Sequence, residues 1–158
     1  MAAQGHLDEA ISQYELALAE NQYFVPAMLN LANAYFKMGK LKEAAETLQR
    51  AASVDPGNYA AYFNAGTMLY KLRAFDAAER MFRAAVRLKP SSSQGYVNLG
   101  ICLAAQHRLD EAAFSFEKAV SLRPDDADAR QMLDKVRYEI KETQVPASTR
   151  RSASGSVF

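Results

Sequence analysis

Tyr96-Val97-Asn98-Leu99-Gly100 opens a stretch that runs on through Ala112, Phe116 and Ala119 to Pro124. Stepping back 34 positions from each of these residues finds its likeness. Pro124 is preceded by Pro90 and Pro56, and Asn98 by Asn64 and Asn30. Ala112 is preceded by Ala78, Ala44 and Ala10, and Ala119 by Ala85, Ala51 and Ala17. Phe116 is the last of a column of large side chains, Tyr14, Leu48, Phe82 and Phe116. Several independent columns sharing one period of 34 residues mark an internal repeat, with three full units at 25–58, 59–92 and 93–126.

Each unit reads as two helices. Tyr62, Ala65, Gly66 and Leu69 step by three and four, as do Ala78, Phe82, Ala85 and Val86, with a short turn at Leu72-Arg73-Ala74 between them. Pro90 ends the second stripe, because proline cannot continue a helix. No segment alternates with period two for long, so the fold class is all-α, a solenoid of stacked helix pairs. Gly66 and Gly100, with Ala32 before them, are expected to face Ala44, Ala78 and Ala112 and let the paired helices approach closely.

This pattern resembles the tetratricopeptide repeat (TPR) family, which has the same 34-residue period. The third unit carries it most fully, in Tyr96, Asn98, Leu99, Gly100, Ala112, Phe116, Ala119 and Pro124. The resemblance covers 25–126 fully and 4–20 in part. It departs where Met28 replaces a large aromatic and where Arg73 and His107 replace the turn glycine kept at Gly5 and Gly39. It implies a right-handed superhelix whose concave face is lined by the first helix of each unit. It also implies a protein or peptide partner.

The ends differ. Residues 1–24 match the turn and second helix of a unit, with a helix expected over 7–20 and no partner helix before it. Two readings stand: a fragment of a longer array, or a helix that caps the array or docks a partner. Residues 127–142 continue the helical pattern with interspersed charges, as a capping helix requires. Residues 143–158 are Ser-rich and aromatic-poor, the composition of a disordered tail. Ser156-Val157-Phe158 resembles a PDZ-domain ligand, and Arg151 before Ser154 a basophilic kinase site.

Composition narrows the function. The chain has 158 residues, 49% hydrophobic and 23% charged, with net charge +1, which argues against a general electrostatic binder of nucleic acid or membrane surfaces. No apolar run approaches a membrane span, and the N-terminus lacks a signal-peptide core, so a cytoplasmic location is expected. Charge is uneven along the chain. Residues 1–24 carry four acids and no base, whereas 59–92 carry six bases against two acids. Weak self-association through the unpaired N-terminal helix follows as an expectation. Arg80, Arg83 and Arg87 form one helix face, read as a solvated surface or as a docking stripe for an acidic partner.

Chemistry has little to stand on, and neither an enzyme nor a cofactor is expected. His6 and His107 fall at turns, and Cys102 sits mid-helix between Ile101 and Leu103 with no histidine beside it. Asp125, Asp126 and Asp128 lack the glycine and distal glutamate of a calcium loop and read as helix-capping acids.

The candidate site is the concave groove. Its expected lining is Leu29, Asn30, Asn33, Phe36 and Lys37 in unit one. Unit two adds Phe63, Asn64, Thr67, Tyr70 and Lys71, and unit three Val97, Asn98 and Ile101. An asparagine amide both donates and accepts, so a column of them can pair with a peptide backbone whatever its sequence. A carboxylate clamp of the kind used by chaperone-tail readers would place cations at Leu29, Gln94 and Asn98, and none is there. The Asn30/Asn64/Asn98 column is instead similar to the repeats of O-linked N-acetylglucosamine transferases, where it holds extended peptide. The alternative reading is therefore a substrate-recruiting domain of a larger enzyme such as a glycosyltransferase.

Overall fold

A computed structural model describes residues 2–144, with side chains from Gly5 onward. The expectations for the tail beyond Gln144, including the PDZ-like terminus and Ser154, lie outside the described residues. The helices are α1 (Ala2–Glu20), α2 (Val25–Lys37), α3 (Leu41–Val54), α4 (Tyr59–Lys71), α5 (Phe75–Leu88), α6 (Ser93–Ala105), α7 (Leu109–Leu122) and α8 (Ala127–Gln144). There is no strand among the described residues. Each helix packs on the next in sequence, and α4 also touches α6. This is an α-solenoid with α2, α4 and α6 as first helices.

The starts of α2, α4, α6 and α8 are themselves 34 residues apart, so the terminal helix occupies the first-helix position of a fourth unit. Helix caps repeat with the same step. Asn58 Oδ1 accepts from Ala61 N at 3.0 Å, Ser92 Oγ from Gly95 N at 3.0 Å, and Asp126 Oδ1 from Ala129 N at 3.0 Å. Each pairs one of the N–H groups left over at a helix start. In the first unit this position is Phe24, which makes no side-chain cap, and Pro26 near the start of α2 fixes φ there instead.

The turn between paired helices is the same in every unit. Gly39, Arg73 and His107 have φ of 73°, 61° and 59°. In each case the next N–H reaches back five residues: Lys40 to Tyr35 O (2.9 Å), Ala74 to Leu69 O (2.9 Å) and Arg108 to Leu103 O (3.0 Å). That is the Schellman closure, which favours glycine at the left-handed position. Arg73 and His107 hold it at a local cost of about 1 kcal/mol. Gly5 differs from the expectation. It lies inside α1, which begins at Ala2 rather than at residue 7. No paired helix precedes it among the described residues, so nothing there requires the chain to reverse.

The core follows the alanine columns. Ala44, Ala78 and Ala112 are fully buried, as are Ala51, Ala85 and Ala119. The glycines play a different part from the one expected. The nearest neighbours of a Cβ built on Gly66 are the ring atoms of Phe82, the closest at 2.7 Å, rather than an alanine. Gly100 meets the ring of Phe116 in the same way, at 2.7 Å. Unit one carries Ala32 with Leu48, so a smaller partner accompanies a larger residue across the pair. Two overlapping buried clusters run the length of the chain; the first joins Ile11 and Leu18 of α1 to Met28 and Leu31 of α2, covering the open end of the array.

Candidate functional site

The face formed by the first helices carries a line of hollows. Between α2 and α4 lies one of about 290 Å³, lined by Leu29, Asn33, Phe36, Phe63, Asn64 and Thr67 together with Ala32, Leu48 and Met68. The next, about 200 Å³, is bounded by Thr67, Tyr70, Lys71, Phe82, Asn98 and Ile101. Val97 and Ile101 reach a third hollow with Gln94 and Met132. The structure thus brings together eleven of the thirteen residues read from the sequence. Asn30 and Lys37 are exposed and line none of these hollows. Val97 contributes little surface, being only 6% exposed.

The amides are not equivalent. Asn30, Asn33 and Asn64 are exposed and make no side-chain hydrogen bond among the described residues. Asn98 is half-buried, and its Oδ1 already accepts from Gln94 Nε2 at 3.1 Å. The column also ends differently: 34 residues beyond Asn98 stands Met132. The rings beside the amides are fixed by one another. Phe63 stacks on Tyr59 with centroids 5.5 Å apart and meets Phe82 edge-on at 6.2 Å. Lys71 Nζ sits 5.8 Å from the centre of the Phe36 ring, a cation over an aromatic face.

The fourth wall of the groove was missed in the sequence reading. A hollow of about 360 Å³ lies between α6 and α8, lined by Tyr70, Ile101, Ala104, Ala105, Met132, Lys135, Val136 and Glu139 with Phe116 at its base. The 34-residue step from Ile101 to Lys135 and from Ala105 to Glu139 was the signal that could have found it. It was hidden because α8 shares the repeat's position while lacking its signature residues.

The remaining candidates have structural partners. Cys102 is fully buried and its thiol donates to Phe75 O at 3.3 Å; burial pushes its pKa up to about 11, against a hydrogen bond from Gln106. Such a thiol is a poor nucleophile. His107 occupies the left-handed turn position, and His6 lies on α1. Asp126 caps α8, and Asp128 lies in its first turn. The arginine stripe is divided. Arg83 pairs with Glu79 at 2.8 Å and Glu111 at 3.0 Å, and Arg108 with the same acids at 2.5 Å and 2.7 Å. Arg80 and Arg87 are exposed.

A solenoid of two-helix units with its hollows on one face is a helical-repeat protein. Tetratricopeptide repeat profiles match residues 1–69 and 69–127. The chain belongs to the tetratricopeptide repeat family. None of the curated proteins matches it. Among solved structures it is similar to MamA, at 26% identity over 89% of this chain and 82% of that one, with a TM-score of 0.82. It is similar to YrrB, described as a TPR protein with an unusual peptide-binding site, at 26% identity, 90% and 73% coverage and a TM-score of 0.79. It also resembles the first TPR domain of Spaghetti (RPAP3) bound to the HSP90 peptide SRMEEVD, at 27% identity, 74% and 93% coverage and a TM-score of 0.71. No helix among the described residues is long and apolar enough to cross a membrane.

Proposed function

We propose that this chain is a non-catalytic interaction module that holds an extended segment of a partner protein along the face of α2, α4 and α6. The observation that carries the reading is the α2–α4 hollow. Unpaired amides at Asn33 and Asn64 stand there beside the exposed ring of Phe36 and the half-buried ring of Phe63. Amides with free donors and acceptors suit a peptide backbone, and the rings suit its apolar side chains. Two of the similar structures are peptide binders by their own description, which supports the same use of this face. The acidic chaperone tail held by one of them is not the ligand this groove suits, because Leu29, Gln94 and Asn98 stand where its clamp would need cations.

The test is selection of a random dodecapeptide library displayed on phage, followed by titration of the enriched peptides. Each lost amide pair is worth about 0.5–1.5 kcal/mol. Asn33→Ala with Asn64→Ala is therefore expected to weaken the selected peptides about tenfold or more, with helix content unchanged because both side chains are exposed. Peptides whose affinity is indifferent to this pair of changes would place binding elsewhere and end the groove reading.

A further inference from the structure

The four first-helix positions can be compared column by column. At the end of each helix the sequence runs Phe36, Tyr70, Ala104, Tyr138, and one residue later Lys37, Lys71, Ala105, Glu139. Phe36 lines the α2–α4 hollow, and Tyr70 the hollows on the α6 side of α4. In both units an aromatic ring leans into the space before the next helix. The third unit has only the methyl groups of Ala104 and Ala105 there, and the space in front of α8 stays open at about 360 Å³. Its walls are largely apolar: Tyr70, Ile101, Met132, Val136 and the ring of Phe116. Lys135 and Glu139 stand together at its edge, so the hollow has no net charge.

We infer that this hollow is the specificity pocket of the groove, and that it takes an aromatic side chain from the bound peptide, with an acidic residue about three positions away held by Lys71. The inference rests on the groove reading and adds to it the class of ligand. An aromatic group is selected because the third unit lacks the ring that Phe36 and Tyr70 supply in the first two, so the ligand completes the column.

The acidic position follows from charge and spacing. Lys71 lines the neighbouring hollow with Tyr70, which borders both, and it makes no ion pair with a carboxylate among the described residues. Stacked helices are about 8–10 Å apart, and an extended chain advances about 3.3 Å per residue. One helix layer therefore corresponds to about three ligand residues. The same charge argument selects among occupants. Residues 145–158 end in Phe158 but contain Arg150 and Arg151 and no acid, so they offer Lys71 nothing. A segment of another protein, acidic and aromatic, fits both features.

The dodecapeptide library tests the pocket separately from the groove. Enriched peptides are expected to share an aromatic residue and an acid about three positions from it. Replacing that aromatic by alanine is expected to weaken binding to the wild-type protein about tenfold or more, the effect of burying such a ring. Ala104→Tyr restores the side chain of the preceding unit and fills the hollow. It is expected to abolish the aromatic preference while helix content stays unchanged. Lys71→Glu is expected to shift the preference from an acid to a base at the spaced position. Peptides that need Asn33 and Asn64 but show no aromatic preference, or bind Ala104→Tyr equally well, would overturn the pocket and leave the groove standing. Peptides that ignore Asn33 and Asn64 as well would overturn both. Enrichment of basic sequences like 145–158 would overturn the assignment of the partner.

Discussion

Gly66 and Phe82 show how tightly one residue is tied to another across a helix pair. A methyl group on Gly66 would lie 2.7 Å from the Phe82 ring, and that ring is itself buried at 2% exposure and packed edge-on against Phe63. Gly66→Ala is therefore expected to destabilise the chain by about 1–3 kcal/mol through overpacking. Phe82→Leu is expected to destabilise it as well, by leaving a void. The two together should cost less than their sum, because Ala32 with Leu48 is already a working pair in unit one. A double-mutant cycle from urea unfolding measures the coupling, and strict additivity would show that the column pairs are independent. Isolated residues of this kind also set the turns, where Arg73 and His107 hold a conformation that Gly39 adopts more readily.

At the scale of elements, α5 and α7 are joined on their exposed flank by Glu79, Arg83, Arg108 and Glu111. Burial works against the charged form of Glu79. Hydrogen bonds from Arg83 and Gln106, with the charges of Arg108 and Arg83, overcome it and hold its carboxyl below the usual value. Glu111 is lowered too, chiefly by its hydrogen bond with Arg108. A carboxyl lowered by folding contributes stability that is complete above its unfolded pKa of about 4.3 and is lost as pH falls through the lower folded value. Urea midpoints of the wild type are therefore expected to fall below about pH 4 more steeply than those of Glu79→Gln with Glu111→Gln. Parallel curves would mean that the network leaves stability unaffected. Tyr35 makes the corresponding link between α2 and α1. Burial and its 2.8 Å hydrogen bond to Glu15 raise its pKa to about 12.

Over the whole molecule, charge is distributed along the array rather than balanced within each unit. The segment 1–24 carries four acids and no base, and 59–92 has a net charge of +4. Part of each charge is already used internally, Glu15 by Tyr35 and Arg83 by Glu79 and Glu111. Asp8, Glu9 and Glu20 at one end and Arg80 and Arg87 in the middle remain exposed. Leu16 and Tyr23, 60% and 66% exposed, add apolar surface at the acidic end. Weak head-to-middle association between copies is expected. By sedimentation velocity it should fade as salt rises to about 0.5 M, since screening shortens the reach of surface charges. Arg80→Glu with Arg87→Glu should abolish it, and a strict monomer at high protein concentration and low salt would refute it. Point changes are the right probe. Removal of residues 1–24 would uncover Met28 and Leu31, which α1 buries, and stability in a solenoid passes between neighbours.

The 34-residue period by itself determined the all-α class, the three units and the helix pair within each, because one repeated column set admits only one way of burying its alanines and large residues. It also located most of the groove, since residues on one helix face recur at fixed offsets. Three matters were decided only by the tertiary structure. The partner of Gly66 is the Phe82 ring, because the distance across a helix pair depends on how side chains interlock and not on their spacing in the chain. Asn98 is engaged by Gln94, while Asn33 and Asn64 are left free. The hollow before α8 exists because Ala104 and Ala105 are small where a neighbouring helix stands across from them, and emptiness between two helices is a property of their packing that no single segment carries.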